Sequence, residues 1–193
     1  MEQHAAIETS ESLIRMDKSD FSLQVTNRSG VNINLCWQCK CCTAGCPFSW
    51  AMDYHPNQVI RLAQLGLKEE ALKSSTIWIC VGCNTCTMGC PNAIDMPAIM
   101  DVMREIALEE NISIPEPDIL LFHKAMLNSI ERYGREHKLE MMLRLKLQKL
   151  DFFSDVNVGL RMLAKRKLSL LPSRIDNLEH IKYLFQKSEK EKS

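Results

Sequence analysis

The chain has 193 residues, a formal net charge of zero and a hydrophobic fraction of 46%, which excludes a chain that is disordered throughout. Balanced charge and an aromatic fraction of only 6% argue against a nucleic-acid-binding surface. The polar N-terminus lacks a basic stretch followed by an apolar one, and no segment approaches the roughly 18–20 apolar residues of a membrane span. We therefore expect a cytoplasmic protein with no nucleic-acid partner and no membrane span.

Residues 1–33 are predicted to form an N-terminal arm. A short helix is predicted around SESLIRM, residues 10–16. The alternating pattern of FSLQVTNRSGVNIN, residues 21–34, predicts a short strand or an extended segment.

Residues 34–113 are predicted to form a helix-rich core. Pro56 suits a first helical position, Gly66 a helix end, and His55 is expected to begin this helix rather than to bind a metal. Its apolar stripe consists of Val59, Ile60, Leu62 and Ala63, and a second short helix is predicted over KEEALKS.

A longer helix is predicted after residue 94, with Asp95 as its cap and Pro97 in the first turn. Its apolar face comprises Ile99, Met100, Met103, Ile106 and Ala107. The segment SIPEPD, residues 113–118, then predicts a boundary.

Residues 114–193 are predicted to be a helical extension that docks a partner. One helix has an apolar face of Ile119, Leu120, Met126, Leu127 and Ile130 and ends at Gly134; two more follow, within residues 135–153 and 155–171. Residues 160–193 hold nine Lys or Arg against four Asp or Glu, which leaves open a solvated face or a contact with an acidic partner surface.

All nine cysteines lie in two runs, CWQCKCCTAGC from Cys36 to Cys46 and CVGCNTCTMGC from Cys80 to Cys90. Each run contains the spacing C-x2-C-x2-C-x3-C followed by proline, which is typical of ferredoxins that bind two cubane 4Fe–4S clusters. Three thiolates spaced by two residues can surround one cube, and the fourth reaches the neighbouring cube. The spacing therefore predicts cluster 1 on Cys36, Cys39, Cys42 and Cys90, and cluster 2 on Cys80, Cys83, Cys86 and Cys46.

Two other uses of these cysteines fit less well. Structural zinc sites use one set of four ligands arranged as two pairs, and a reducing compartment disfavours disulfides. Cys41 is surplus to the spacing and is predicted to be a non-ligating thiol, although an alternate ligand or a redox-sensitive thiol stays open.

Other residues near the runs have expected structural roles. Gly45, Gly82 and Gly89 are predicted to permit close backbone approach. Trp37, Trp50 and Trp78 are predicted to shield the cubes from water. No nucleotide-binding or hydrolase motif is present, so no catalytic residue is predicted.

The segment LCWQCKCCTAGCP, the spacer from Asn57 to Pro91 and IDMPAIMDVMREIA resemble the C subunit of the heterodisulfide reductase of methanogenic archaea. The resemblance is closest over residues 34–110. It implies a mainly α, helical ferredoxin-like dicluster domain with a helical C-terminal extension.

The resemblance further implies an electron relay from the flavin-containing A subunit to the B subunit, which reduces the mixed disulfide of coenzyme M and coenzyme B in methanogenesis. Hydrogenase or formate dehydrogenase would feed the assembly. Iron–sulfur subunits of succinate dehydrogenase, anaerobic glycerol-3-phosphate dehydrogenase and sulfur-oxidising complexes are similar. A freestanding ferredoxin-like carrier is a further alternative.

Overall fold

A computed structural model describes residues 20–149 and 175–191, together with residues 158, 161, 162, 164 and 165. Every regular element in these ranges is helical, which confirms the expected mainly α fold. The chain divides into two compact units, Met1–Pro115 and Glu116–Ser193. The helix predicted around residues 10–16 lies outside the described residues, as does most of the one predicted within 155–171.

The first unit contains seven α-helices and two short 3-10 turns among its described residues. The turns are Ile33–Leu35 and Ser49–Ala51, and the helices are α1 (Asp20–Ser29), α2 (Cys41–Ala44), α3 (Pro56–Gln64), α4 (Lys68–Leu72), α5 (Thr76–Ile79), α6 (Thr85–Met88) and α7 (Met96–Glu109).

The strand or extended segment predicted for residues 21–34 is wrong, because α1 occupies most of that range. Phe21 and Val25 are buried and lie four residues apart, which places both side chains on one face of a helix. Arg28 also binds both carboxylate oxygens of Glu109 on α7, at 2.6 and 2.8 Å. Contacts with α7 therefore stabilise a helix that the short alternating pattern did not indicate.

Helix α7 forms the centre of the first unit, as its apolar pattern predicts. All five residues of its predicted face are buried, and the helix packs against α1, α4 and α5. The Asp95 carboxylate accepts a hydrogen bond from the Ala98 N–H at 3.3 Å, which confirms the predicted cap. Each large apolar side chain buried here stabilises the unit by roughly 1.5–3 kcal/mol.

The predicted pair of short helices between the cysteine runs is also confirmed. Helix α3 begins at Pro56, and the N–H of His55 donates to Gln58 Oε1 at 2.8 Å, so His55 is the N-cap residue at the entry to this helix. Val59, Ile60 and Ala63 are buried. These contacts fix the spacer that positions the two runs.

The second unit contains α8 (Pro117–Tyr133), α9 (Lys138–Lys149) and α10 (Leu178–Glu191), and α8 packs against both other helices. Helix α8 ends before Gly134 as predicted, but the expected apolar face is only partly correct. Leu127 is 52% exposed, whereas Ala125 and Ser129 are buried. The Ser129 hydroxyl accepts the His137 N–H at 2.8 Å, so a small polar residue occupies the contact that periodicity assigned to an apolar one.

Among the described helices, none combines the length and the apolar character needed to cross a bilayer.

Candidate functional site

The two cysteine runs share one backbone conformation. Gln38 and Lys40 in the first run have left-handed φ values of 64° and 65°, and Gly82 and Asn84 have φ values of 64° and 60° at the equivalent positions of the second. A one-turn helix follows each pair, α2 in the first run and α6 in the second. The repeat in the sequence is therefore also a repeat in conformation.

The three glycines differ in conformation, and the close backbone approach expected of them in the cluster loops stays a prediction. Gly45 and Gly89 have right-handed φ values of −88° and −87°. A Cβ atom added to Gly45 would lie 3.4 Å from the Cys41 carbonyl oxygen and 3.7 Å from Thr85 Cγ2, which is ordinary contact. Gly82 has open space around it, and its left-handed φ of 64° is one that glycine adopts without the cost that Gln38 bears at the equivalent position.

Two cavities open between the runs. The first cavity has a volume of about 310 Å³ and the second of about 410 Å³, each including its mouth. The first cavity is lined by Cys36, Cys39, Cys41, Cys42 and Cys90. The second cavity is lined by Cys46, Cys80, Cys83 and Cys86.

The last cysteine of each run therefore lies at the cavity of the other run. The geometry follows from the packing of α2 against α6. Each one-turn helix carries the chain away from its own cavity, and the fourth cysteine follows in a turn. The Cys46 N–H donates to the Thr43 carbonyl oxygen in the first turn, and the Cys90 N–H donates to the Thr87 carbonyl oxygen in the second. The structure thus groups the eight regularly spaced cysteines as two sets of four, with Cys41 beside the first set.

The remaining lining differs between the two cavities. Met96 is buried and lines both of them, so its side chain lies in the wall that they share. The first cavity is also lined by Lys40, Asn57, Ile60 and Ile94, and nearly all of the surface that lines it is apolar. The second cavity adds mainly apolar side chains, namely Phe48, Met52, Pro56, Val81, Pro97 and Met100, with Thr85.

A hydrogen-bond network that the sequence did not predict supports the first cavity. Gln38 Nε2 donates to Cys36 Sγ at 3.5 Å. Asn57 Nδ2 donates to Gln38 Oε1 at 3.0 Å, and the Thr43 hydroxyl donates to Asn57 Oδ1 at 2.6 Å. Asn57 is only 6% exposed. Its link to the first run becomes visible only once α3 has packed against that run, so the sequence carries no signal for it.

Arg104 on α7 is a second residue that the sequence did not indicate. Its guanidinium donates to the carbonyl oxygens of Ile77 and Cys80, at the end of α5 where the second run begins. It also pairs with Asp101 at 2.8 Å, and its side chain is only 15% exposed. A cation placed on the last carbonyls of a helix is favourable, so Arg104 holds the start of the second run in place.

Burial and hydrogen bonding divide the thiols into two electrostatic groups. Burial raises the pKa of Cys42 to about 11 and also raises the pKa values of Cys80 and Cys86. Hydrogen bonds act in the other direction on two exposed thiols: the Cys41 N–H lowers the pKa of Cys39, and the Thr85 side chain lowers the pKa of Cys83. The pKa of the exposed Cys41 is instead raised by its interaction with Cys39. The buried thiols are therefore neutral at pH 7 without a metal, and metal binding would release their protons.

The donor set fits a cluster better than a single ion. Among the described residues, no three His, Cys, Asp or Glu side chains converge as ligands of one metal ion. A cubane does not require such convergence, because each thiolate binds a different iron atom. Two apolar-walled cavities, one with five soft thiol donors and the other with four, therefore suit iron–sulfur clusters.

The tryptophans do not shield either cavity in the predicted way. Trp37 and Trp50 are 67% and 84% exposed, and Trp78 is buried. None of the three is among the residues that line a cavity. Apolar residues of the second run, of α7 and of the loop after Cys46 line the second cavity instead.

Comparison with known families agrees with this geometry. Residues 35–95 match a family described as the 4Fe-4S dicluster domain, and this range contains all nine cysteines. The chain therefore carries a domain of the class that binds 4Fe–4S clusters.

The resemblance to the C subunit of heterodisulfide reductase is confirmed by curated relatives. The chain is 33% identical over 75 residues to the C subunit of the H(2):CoB-CoM heterodisulfide,ferredoxin reductase of Methanothermobacter marburgensis. This match covers 38% of this chain and 40% of the relative. It is 31% identical over 103 residues to the second iron-sulfur C subunit of the CoB–CoM heterodisulfide reductase of Methanocaldococcus jannaschii, covering 53% and 52% of the two chains. The matched segments thus span about two fifths to one half of these relatives.

Proposed function

We propose that this chain is a non-catalytic electron-transfer subunit of an oxidoreductase complex, and that it carries two 4Fe–4S clusters. The observation that supports this most strongly is the arrangement of thiols. Each cavity has three regularly spaced cysteines from one run and the last cysteine of the other. This exchange is the ligand pattern of ferredoxins that hold two cubanes.

The proposed ligands follow the two cavities. Cluster 1 takes Cys36, Cys39, Cys42 and Cys90, and cluster 2 takes Cys46, Cys80, Cys83 and Cys86. When bound, the clusters supply one-electron redox chemistry. Cys41 is not assigned as a ligand, because the other four thiols of the first cavity already complete a cubane.

The protein contributes position, polarity and protection from water. Helices α3, α5 and α7 hold the runs, and Arg104 fixes the start of the second. Gln38 donates a hydrogen bond to a ligand sulfur of cluster 1. Met96 and its apolar neighbours limit the entry of water. In this role the groups that line the two cavities tune electron transfer.

The wider assembly is proposed from the relatives. We propose a complex of the heterodisulfide reductase type, located in the cytoplasm. Residues 34–113 would act as the dicluster domain between a flavin-containing A subunit and a disulfide-reducing B subunit. Residues 1–33 would form an arm, and residues 114–193 would dock the partners. Reduction of the coenzyme M–coenzyme B heterodisulfide, with electrons from hydrogenase or formate dehydrogenase, is the reaction proposed for the whole complex.

Anaerobic purification tests the cluster content directly. The protein should be brown, contain about eight iron atoms per chain and show interacting EPR signals from two cubanes after reduction. About four iron atoms, or zinc in their place, would contradict the proposal.

Affinity purification from native cells tests the assembly separately. A tagged chain should be recovered together with a flavoprotein and a second iron–sulfur protein. Recovery of a fully iron-loaded monomer from gently lysed cells would contradict the complex and favour a freestanding carrier.

A further inference from the structure

The first cysteine run begins at a helical turn whose carbonyl groups are held by one long side chain. The 3-10 turn Ile33–Leu35 ends immediately before Cys36. Gln64 on α3 reaches this turn, and its Nε2 donates to the carbonyl oxygens of Ile33 and Cys36 at 2.8 and 3.2 Å. Gln64 therefore anchors the start of the first run through two backbone carbonyl groups.

Arg104 anchors the second run at the equivalent atoms. Its guanidinium donates to the carbonyl oxygens of Ile77 and Cys80. Ile77 lies three residues before Cys80, just as Ile33 lies three residues before Cys36. The same two carbonyl groups are thus bound by a neutral amide in the first run and by a cation in the second.

This comparison separates two roles of Arg104. Gln64 shows that a neutral amide is sufficient to bind both carbonyl groups, so the anchoring of a run does not by itself require a positive charge. The charge is an additional feature of the second run. The Arg104 side chain is only 15% exposed, and a charge that is largely withdrawn from water is screened less than a charge on the surface.

The charge of Arg104 is only partly neutralised. Asp101, one turn earlier on α7, accepts a hydrogen bond from Arg104 Nη1 at 2.8 Å, but the Asp101 side chain is 66% exposed. Water therefore screens the carboxylate more strongly than the guanidinium. The guanidinium is also in direct contact with the backbone of Cys80, a proposed ligand of cluster 2.

We propose that the positive charge of Arg104 raises the midpoint potential of cluster 2, in addition to the role of its hydrogen bonds in holding the second run. The inference rests on the proposed two-cluster function. A 4Fe–4S cluster that takes up one electron gains one negative charge. A nearby positive charge stabilises this reduced state relative to the oxidised one. The first run has the neutral Gln64 at the equivalent place, so cluster 1 does not receive this contribution.

The experiment is an anaerobic redox titration of the iron-loaded full-length protein, followed by EPR. Cys80→Ser first identifies which of the two midpoint potentials belongs to cluster 2. Arg104→Gln gives the second run the neutral anchor of the first and should lower only the potential of cluster 2. At a fixed solution potential its reduced-to-oxidised ratio should fall by about tenfold, which is about 59 mV for a one-electron couple.

Three matched variants separate the charge from the anchoring. Arg104→Lys keeps the charge but not the planar fork, so its cluster 2 potential should stay closer to the wild type than that of Arg104→Gln. Asp101→Asn removes the opposing charge from an exposed position and should raise the reduced-to-oxidised ratio of cluster 2 by about two- to threefold. Lys73→Gln removes a charge from an exposed pair with Glu69 and should leave both potentials unchanged.

Several results would overturn the role of the charge. Equal decreases in Arg104→Gln and Arg104→Lys would mean that Arg104 acts through its geometry alone. Shifts of the same sign in Arg104→Gln and Asp101→Asn would contradict an electrostatic effect. If Arg104→Gln loses iron, Asp101→Asn decides the question, because it leaves both carbonyl groups bound to Arg104.

Iron analysis distinguishes this inference from the proposed function. In a protein with about eight iron atoms, unchanged potentials or a shift confined to cluster 1 would overturn the inference and leave the two-cluster function intact. A wild type with about four iron atoms would instead refute the two-cluster function itself.

Discussion

Cys46 and Cys90 occupy equivalent positions in the two runs, and each lines the cavity formed by the other run's cysteines. The two halves of the repeat are therefore interdependent. Each run places only three of its regularly spaced thiols at its own cavity, and the first run adds Cys41.

Removing one exchanged cysteine should damage the distant cluster and not the local one. Cys90→Ser should reduce the iron bound at the first cavity, and Cys46→Ser that at the second, because serine is a poor substitute for a thiolate ligand of iron. Iron analysis should show a loss of up to about half of the iron in each variant. Cys41→Ser is the matched control and should keep its full iron content.

EPR of the reduced variants identifies which cluster is affected. Cys90→Ser should share its spectral change with Cys36→Ser, whereas Cys46→Ser should share its change with Cys80→Ser. If Cys90→Ser instead resembled Cys86→Ser, each run would hold its own cluster and the exchange would be wrong.

Asp53 is expected to stabilise the segment that leads into the second run. Its carboxylate accepts hydrogen bonds from the N–H groups of Ser75 and Thr76, at 2.9 and 3.1 Å, and from the Ser74 hydroxyl at 2.9 Å. Partial burial would raise the pKa of Asp53, but these hydrogen bonds outweigh it and lower the pKa to about 2. Asp53→Asn should decrease the free energy of unfolding by about 1 kcal/mol, since Asp53 is partly exposed.

The pH dependence of the stability lost in Asp53→Asn follows from the lowered pKa of Asp53. A carboxylate with a lowered pKa stabilises the fold above its ordinary value of 3.8, and the stabilisation disappears as pH falls toward 2. Denaturant unfolding should therefore give the same difference between Asp53→Asn and wild type at pH 5 and pH 8. A difference that changes between these two values would contradict the assignment. Glu69→Gln, at an exposed surface pair with Lys73, is the control and should have little effect.

Arg104 is expected to control how firmly iron is held at the second cavity. Lysine keeps the charge of Arg104 but cannot reproduce a planar fork that binds two carbonyl oxygens and Asp101 together. Arg104→Lys should accelerate the transfer of iron from the second cavity to a ferrous chelator by about tenfold, which corresponds to the loss of about one hydrogen bond. Arg61→Lys, which affects an exposed arginine bonded to Gln64, should release iron at the wild-type rate.

Gly134 is expected to be indispensable to the second unit. It has a φ of +78°, and a Cβ atom there would lie 2.2 Å from Ile175 Cγ1. Gly134→Ala should therefore combine a left-handed backbone cost of about 1–2 kcal/mol with a steric displacement of Ile175. Gly30→Ala is a matched control, because Gly30 has a φ of +68° but nothing within 4 Å of the added atom. Unfolding followed by circular dichroism should show a larger loss of unfolding free energy for Gly134→Ala than for Gly30→Ala. Equal losses of unfolding free energy would mean that Ile175 moves without cost.

The parts predicted correctly from sequence are those with strong periodic or spacing signals. The apolar face of α7 and the cap at Asp95 depend on local chemistry, and both are confirmed. Helix α1 was missed because its stability depends on distant residues such as Glu105 and Glu109, which a short window of sequence cannot reveal.

The supporting residues around the cavities were missed for a related reason. Asn57 and Arg104 reach the runs only after α3 and α7 have packed, and the sequence shows no spacing that links them to the cysteines. The assignment of ligands to clusters stays a prediction, and the two cavities provide its structural support.

The exchange of Cys46 and Cys90 also constrains the order in which the protein matures. A chain is synthesised from its N-terminus, so the thiols of the first run are available long before Cys90. With the proposed ligands, neither cluster can receive its full coordination until α3, α4 and α5 have brought the second run against the first. Iron–sulfur insertion and folding of the first unit would then form a single cooperative step, and a nascent chain that ends before residue 90 would expose an incomplete and oxygen-sensitive site.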